Sequence, residues 1–492
     1  MLKIKIGVIL FFALLHLNFQ IALAQNTQGN AKFFSFSLKT ASTTSAGVYQ
    51  NDGTLIRTIW SGEKFEAGTH SSKWDGLDDE GNVVNETNIN IKVLSNNVTY
   101  QWEGARIGNT STALTGETKH RLFEPIRGMT MLGNTAYVAG GYNEAWPAQY
   151  KFNILDPQSK TWVGRLRKTD QATDFVATDG ELVYWAGYDP RNTKETFIFA
   201  TRVNNNTLVN FGSLGTAASM EWGGTYSAIS YKSEENSIIS GVAVQKDGDF
   251  LFVSREGKSE LQVLNKKTGL LLQTMKINDV AQIDIDLSGF LWMVVGSTIE
   301  KYKINTNGTI TYTGLVISKM ANPGGFDFSP DGSTIAVCDI DDQNVKGFGI
   351  NNGDLKWTLG QTGGYLTDAT VTDYKFYFRD VRGEKLTYLA YLPDGSLYVG
   401  DPGNCRIQHY SANRTFVDCI MYMPNVYKTS VDKNNPKKLY ADFMEFEIDY
   451  SKPLGATNGS WKLKKNWGGN FLGKFNAFSK IFNPITFSNG KV

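Results

Sequence analysis

The stretch Pro393-Asp394-Gly395-Ser396-Leu397-Tyr398-Val399-Gly400-Asp401-Pro402-Gly403-Asn404-Cys405-Arg406-Ile407-Gln408-His409-Tyr410 holds a turn, a strand, a second turn and a second strand. Asp-Gly serves a tight turn because glycine takes positive φ without steric cost, while the β-branched and aromatic residues that follow favour a pleated strand. The same unit recurs along the chain. It reads Met131-Leu132-Gly133-Asn134-Thr135-Ala136-Tyr137-Val138, then Thr178-Asp179-Gly180-Glu181-Leu182-Val183-Tyr184-Trp185. Further copies are Lys246-Asp247-Gly248-Asp249-Phe250-Leu251, Leu287-Ser288-Gly289-Phe290-Leu291-Trp292 and Pro330-Asp331-Gly332-Ser333-Thr334-Ile335. Lys433-Asn434-Asn435-Pro436-Lys437-Lys438-Leu439-Tyr440 is a degraded copy, and Asn489-Gly490-Lys491-Val492 begins another. The closest turns lie about 41 residues apart, the length of a four-stranded blade. Solenoid repeats are shorter and contain helices, so the pattern predicts a β-propeller over 120–492, with seven blades and with six or eight as alternatives.

Composition agrees with an all-β chain. Among 492 residues there are 49 glycines, 29 Phe, 22 Tyr and 11 Trp but only 12 prolines. Lys and Arg total 49 against 48 Asp and Glu, a balance that carries no electrostatic footprint for nucleic acid. Met1 to Ala24 places Lys3 and Lys5 before a short apolar run and ends Ala22-Leu23-Ala24, the pattern of a secretory signal peptide. The protein is therefore expected to be secreted or extracellular, or periplasmic in a bacterium, with no transmembrane segment.

A short segment, 25–40, precedes a region of strands and turns over 41–98, followed by a linker over 99–119. Within 41–98, Asn51-Asp52-Gly53 separates two apolar runs, and Ile89, Ile91 and Val93 alternate with polar residues. The motifs Asp52-Gly53-Thr54-Leu55-Ile56-Arg57, Ala67-Gly68-Thr69-His70, Trp74-Asp75-Gly76 and Asp78-Asp79-Glu80-Gly81-Asn82 resemble the immunoglobulin-like domain of flagellar hook-capping proteins. The resemblance implies a small immunoglobulin-like sandwich in which Trp74 and Asp75 are structural. It departs from the family at Asn85-Glu86-Thr87-Asn88-Ile89, where the family has Gly-x-Tyr. Asp75, Asp78, Asp79 and Asn82 lack a calcium-loop spacing and read as turn formers that bond their own backbone.

Tyr398-Val399-Gly400-Asp401-Pro402-Gly403-Asn404-Cys405-Arg406-Ile407 resembles the NHL repeat, whose blades carry Asp, Asn and Arg at these places. The resemblance implies structural roles for Asp401, Asn404 and Arg406. A hairpin turning near Ala412-Asn413 brings Cys405 and Cys419 nearly opposite, as a disulfide requires, although one residue of register would spoil it. Cys338 reads as a buried strand residue.

Chemistry is harder to place. No H-E-x-x-H, Cys-x-x-Cys or Gly-x-Ser-x-Gly motif occurs. His120, Arg121, Glu124 and Arg127 cluster near the start of the repeats, where blade structure explains them. Glu124, Asp327 and Asp380 are acidic candidates for a central channel, but one sequence cannot show whether they converge. Two long intervals and one shorter loop hold aromatic and polar residues suited to stacking on a sugar or gripping a peptide. They give Trp222 and Tyr226, then Tyr365, Arg379 and Asp380, then Asn143 and Trp146 as ligand-binding candidates. The expected function is binding of a glycan or an extracellular protein without a cofactor or metal. The alternative is a propeller enzyme, a lyase or metal-dependent hydrolase, acting on carbohydrates or lactones.

Overall fold

The computed structural model describes residues 31–98, 125–142, 148–163, 172–189, 192–209, 216–220, 224–231, 238–379, 384–422, 428–451, 461–468, 484–487, 489 and 491. The chain divides into two compact units, Met1–Trp102 and Glu103–Val492. Among the described residues every regular element is a strand or a single 3-10 turn. No helix there is long and apolar enough to cross a membrane.

The first unit has two antiparallel sheets. Lys32–Leu38 pairs with Gly68–Trp74, and Ser42–Gln50 is flanked by Leu55–Phe65 and Ile89–Asn96. The opening strand begins inside the segment expected to precede the domain. Phe34 and Phe36 alternate with Ser35 and Ser37, the period-2 pattern of a half-buried strand. Both rings pack on Trp60, with centroids 5.9 and 5.6 Å away. The Trp60 indole N–H is satisfied by Thr44 Oγ1 at 2.9 Å. Trp74 is buried and donates to the Leu77 carbonyl at 2.8 Å, while Asp75 accepts from Leu77 N and holds Arg57 at 3.1 Å.

The second unit is a β-propeller whose described residues form seven antiparallel sheets, spanning 128–162, 172–231, 241–276, 280–317, 323–359, 389–421 and 429–466. Six have four strands, and the second has five. Middle strands are covered on both faces by neighbouring sheets, so they read as unbroken apolar runs. Leu291-Trp292-Met293-Val294 and Ile335-Ala336-Val337-Cys338 are buried throughout. Outer strands face solvent on one side and alternate, as Leu271–Lys276 does. The turns follow the chemistry of their sequence. Gly332 and Gly395 take φ of +67° and +79°, while Asp331 and Asp394 accept from the amides of Ser333 and Ser396 at 3.0 and 2.9 Å.

The seven sheets are not equivalent. The inner strands Gly128–Leu132, Ala172–Thr178, Gly241–Val244, Val280–Ile285, Pro323–Phe328 and Leu389–Tyr391 pack in that order, and the last packs on the first. They surround one cavity of about 550 Å³. The seventh sheet, which opens with Thr429–Val431, contributes no described residue to its lining. Its last strand, Trp461–Asn466, instead continues onto the excursion between the fifth and sixth sheets. Val371 N–H donates to Lys464 O at 2.8 Å, and Asn466 N–H to Ala369 O at 2.9 Å.

The expected disulfide is absent: Cys338, Cys405 and Cys419 form none. Arg406 lies opposite Met421 and Gln408 opposite Cys419, so Cys405 falls opposite Tyr422, three places out of step. The cause is the turn. It runs over Ser411–Thr415 with Arg414 at φ +64°, and the ladder shifts between His409 and Tyr410.

Candidate active site

The cavity is lined by the strands nearest the propeller axis, and its chemistry depends on which side chains they turn inward. Register gives equivalent places. Ala243 faces Phe252, Asp284 faces Trp292, Asp327 faces Ala336 and Ala390 faces Tyr398. Sheets three and six therefore carry alanine where sheets four and five carry aspartate. The two carboxylates come from neighbouring strands and line the same cavity.

Backbone amides hold both acids, but unequally. Asp284 Oδ1 accepts from Ile285 N at 2.7 Å. Asp327 Oδ1 accepts from Phe328 N and its Oδ2 from Tyr391 N on the next sheet, each at 2.7 Å. Each side chain is half-buried, open to the cavity and otherwise walled by protein. Burial, then the charge of Asp327, raises the Asp284 carboxyl well above the ordinary carboxylate range. Burial likewise pushes Asp327 up to about 6, against the two amides that favour its ionised form. Both shifts run the same way, toward a carboxyl that keeps its proton to higher pH than an exposed one does.

Of the other described charges along the cavity, Arg127, Asp179 and Asp286 have partners. Arg127 Nε meets Asp174 Oδ1 at 3.3 Å, and Lys266 Nζ meets Asp179 Oδ2 at 3.0 Å. Asp286 takes the Trp292 indole N–H at 2.9 Å and Lys301 Nζ at 3.4 Å. Lys246 and Asp247 are exposed at the rim with opposite signs.

Of the residues expected to bind ligand, Asn143, Trp146, Trp222 and Asp380 lie outside the described residues, as do His120, Arg121 and Glu124. Tyr226 lies on the strand Gly224–Tyr231 opposite Ala218. Arg379 is half-buried in a bridge with Lys385. Tyr365 does not line a binding loop. It is 1% exposed, packs at a tilt against Tyr377 and donates to the carbonyls of Asn466 and Gly468, so its ring and hydroxyl are used in packing.

Asp401, Asn404 and Arg406 form a buried network. Asp401 accepts from Tyr377 N at 2.7 Å, Asn404 Nδ2 at 3.0 Å and Arg406 Nε at 2.7 Å. Arg406 Nη2 also reaches the Thr372 carbonyl at 2.7 Å. Asp327 was among the acidic candidates, whereas Asp284 was not. Its signal was present: Ile283-Asp284-Ile285, like Phe326-Asp327-Phe328, places an acid between two apolar residues on an inner strand just before a turn.

Against known proteins, residues 191–365 match a family model described as lactonase, 7-bladed beta-propeller. That segment contains both Asp284 and Asp327. No curated protein matches the chain. Among solved structures, it is similar to a hydrazine synthase from Kuenenia stuttgartiensis, at 14% identity over 66% of this chain and 94% of that one, with a TM-score of 0.37. It is also similar to a protein of unknown function from Bacteroides thetaiotaomicron, at 13% identity over 77% of this chain and 96% of that one, with a TM-score of 0.38.

Proposed function

We propose that the protein is a propeller hydrolase that opens a cyclic ester in its central cavity, with Asp284 and Asp327 as the acid–base pair. The observation that carries this reading is that two carboxylates from neighbouring inner strands line one cavity, where burial pushes Asp327 up to about 6. A general acid or base works best when its pKa lies near the working pH. The partial likeness to lactonase propellers, over the segment that bears both residues, supports the same reaction class.

In this mechanism the Asp327 carboxylate takes a proton from a water as the water oxygen attacks the ester carbonyl. The ring C–O bond then breaks, and the leaving alkoxide takes the proton held on Asp284. A hydroxy acid results. The proton gained by Asp327 passes back to Asp284, which restores the pair. Export is inferred from Met1–Ala24.

The test is hydrolysis of simple sugar lactones, followed by release of acid. Asp284→Asn and Asp327→Asn are expected each to lower kcat by about 10² to 10⁴-fold with the fold intact by circular dichroism. Unchanged turnover in both variants overturns the mechanism. If no lactone is opened and a glycan array gives binding that Trp222→Ala or Trp146→Ala abolishes, the protein is instead a binding propeller working through its loops.

A further inference from the structure

The charge balance of the cavity identifies what it admits. Arg127, Asp179 and Asp286 are each matched by an opposite charge within 3.4 Å. Lys246 and Asp247 at the rim offset one another and stand in water. This leaves the Asp284–Asp327 pair as the charge inside the cavity without a cationic partner among the described residues. An anion entering there meets a fixed like charge behind low-dielectric walls, where repulsion is much stronger than in water.

A metal cation is a poor match as well. Asp327 has both oxygens turned to backbone amides, and Asp284 has one. Only Asp284 Oδ2 is left without such a donor, and the two carboxylates together bring at most four oxygens, whereas calcium takes six to eight. Among the described residues no group of three or more His, Cys, Asp or Glu could hold a metal ion. What the cavity does offer is a pair of carboxyl groups and neutral polar groups, including Thr130, Gln282 and Ser288. Those are donors and acceptors for hydroxyls.

We infer that the cavity selects uncharged, hydroxyl-bearing ligands and rejects their anionic counterparts, with Asp284 Oδ2 as the hydrogen-bonding oxygen and Asp327 as the fixed repelling charge. This rests on the hydrolase reading for its choice of site and deepens it. Ring opening turns a neutral ester into a carboxylate, so the charge that tolerates the substrate expels the product.

Calorimetric titration of the full-length, ligand-free protein with sorbitol and gluconate tests it. These open chains have the same carbons and differ at one end in charge. Sorbitol is expected to bind at least about tenfold more tightly, a gap one unscreened like-charge contact supplies. Added salt should strengthen gluconate binding by screening, and the Asp284→Asn/Asp327→Asn double variant should close the gap. Gluconolactam, an uncharged ring that resists hydrolysis, should bind with sorbitol rather than with gluconate. Equal or tighter gluconate binding, affinity for gluconate that falls with salt, or no binding of either uncharged probe overturns the inference. The salt series uses the wild-type protein and stands even if the double variant fails to fold. A clear gap in a protein that opens no lactone would leave the selectivity standing and remove only the hydrolase reading.

Discussion

Asp284 is a residue that the fold would do better without. Its carboxyl is raised by burial and by Asp327, so it contributes most to stability where both folded and unfolded chains are protonated, below the ordinary carboxylate value. That contribution is lost as pH rises through the folded value, because the unfolded chain ionises earlier and more readily. Asparagine suits the site: its oxygen can accept the Ile285 amide, and its NH2 replaces the proton. Asp284→Asn should therefore raise the melting temperature by a few degrees at pH 7.5 and lose that gain toward pH 4, as followed by calorimetry. A variant that is more stable yet less active marks a residue kept for chemistry. Asp327 differs, since an Asn there would turn its NH2 toward one of two amide donors and gain less. The sequence could offer Asp327 as an acid of unknown surroundings. It could not show that Asp284 stands beside it, because the convergence depends on two strands about forty residues apart lying side by side in the same register.

Turns and strands were legible in the chain, because Asp-Gly at positive φ and runs of β-branched and aromatic residues are local signals. Register was not. The Cys405–Cys419 pairing failed because Arg414, not a glycine, takes the left-handed turn, and the ladder slips beside it. All three thiols should consequently react with iodoacetamide in denaturant without prior reduction, read by mass spectrometry. Reductant should leave the melting temperature unchanged. Recovery of a 405–419 linked peptide from the native protein would contradict the hairpin described above. In the native state Cys338 and Cys405 should alkylate slowly, since both are buried and burial raises their thiols. Tyr365 was misplaced for a related reason. Gly363-Gly364-Tyr365 has the composition of a binding loop, but a long-range contact with Asn466 and Gly468 fixes the ring inside.

For the whole propeller, the turn count predicted seven blades; the described residues form seven sheets, of which six close round the cavity. What repeats alone could not show is that six inner strands enclose the cavity. The contact between the first and sixth sheets depends on tyrosines. Ile126 N–H donates to Tyr422 Oη at 3.3 Å, Tyr422 and Tyr388 hydroxyls lie 3.5 Å apart, and Phe152 packs on Tyr398. Tyr422→Phe keeps the ring but strands a buried amide, and should cost about 1–3 kcal/mol in urea unfolding. Cost below about 0.5 kcal/mol would show that this contact does not hold the sheets together. The seventh sheet has another consequence. Asn466 Nδ2 donates to Gly403 O and Asn404 Oδ1, at 2.7 and 2.9 Å, beside the Asp401–Arg406 pair. A chain emerging from a ribosome or a translocation pore completes residues 389–421 well before Asn466 appears. Until then the Gly403 carbonyl and Asn404 amide lack that partner, and the 369–371 segment has no strand to join. Assembly of this side of the molecule is therefore one late, long-range event and not a sheet-by-sheet accretion, and during that interval a partly built edge is open to whatever holdase or neighbouring chain reaches it first.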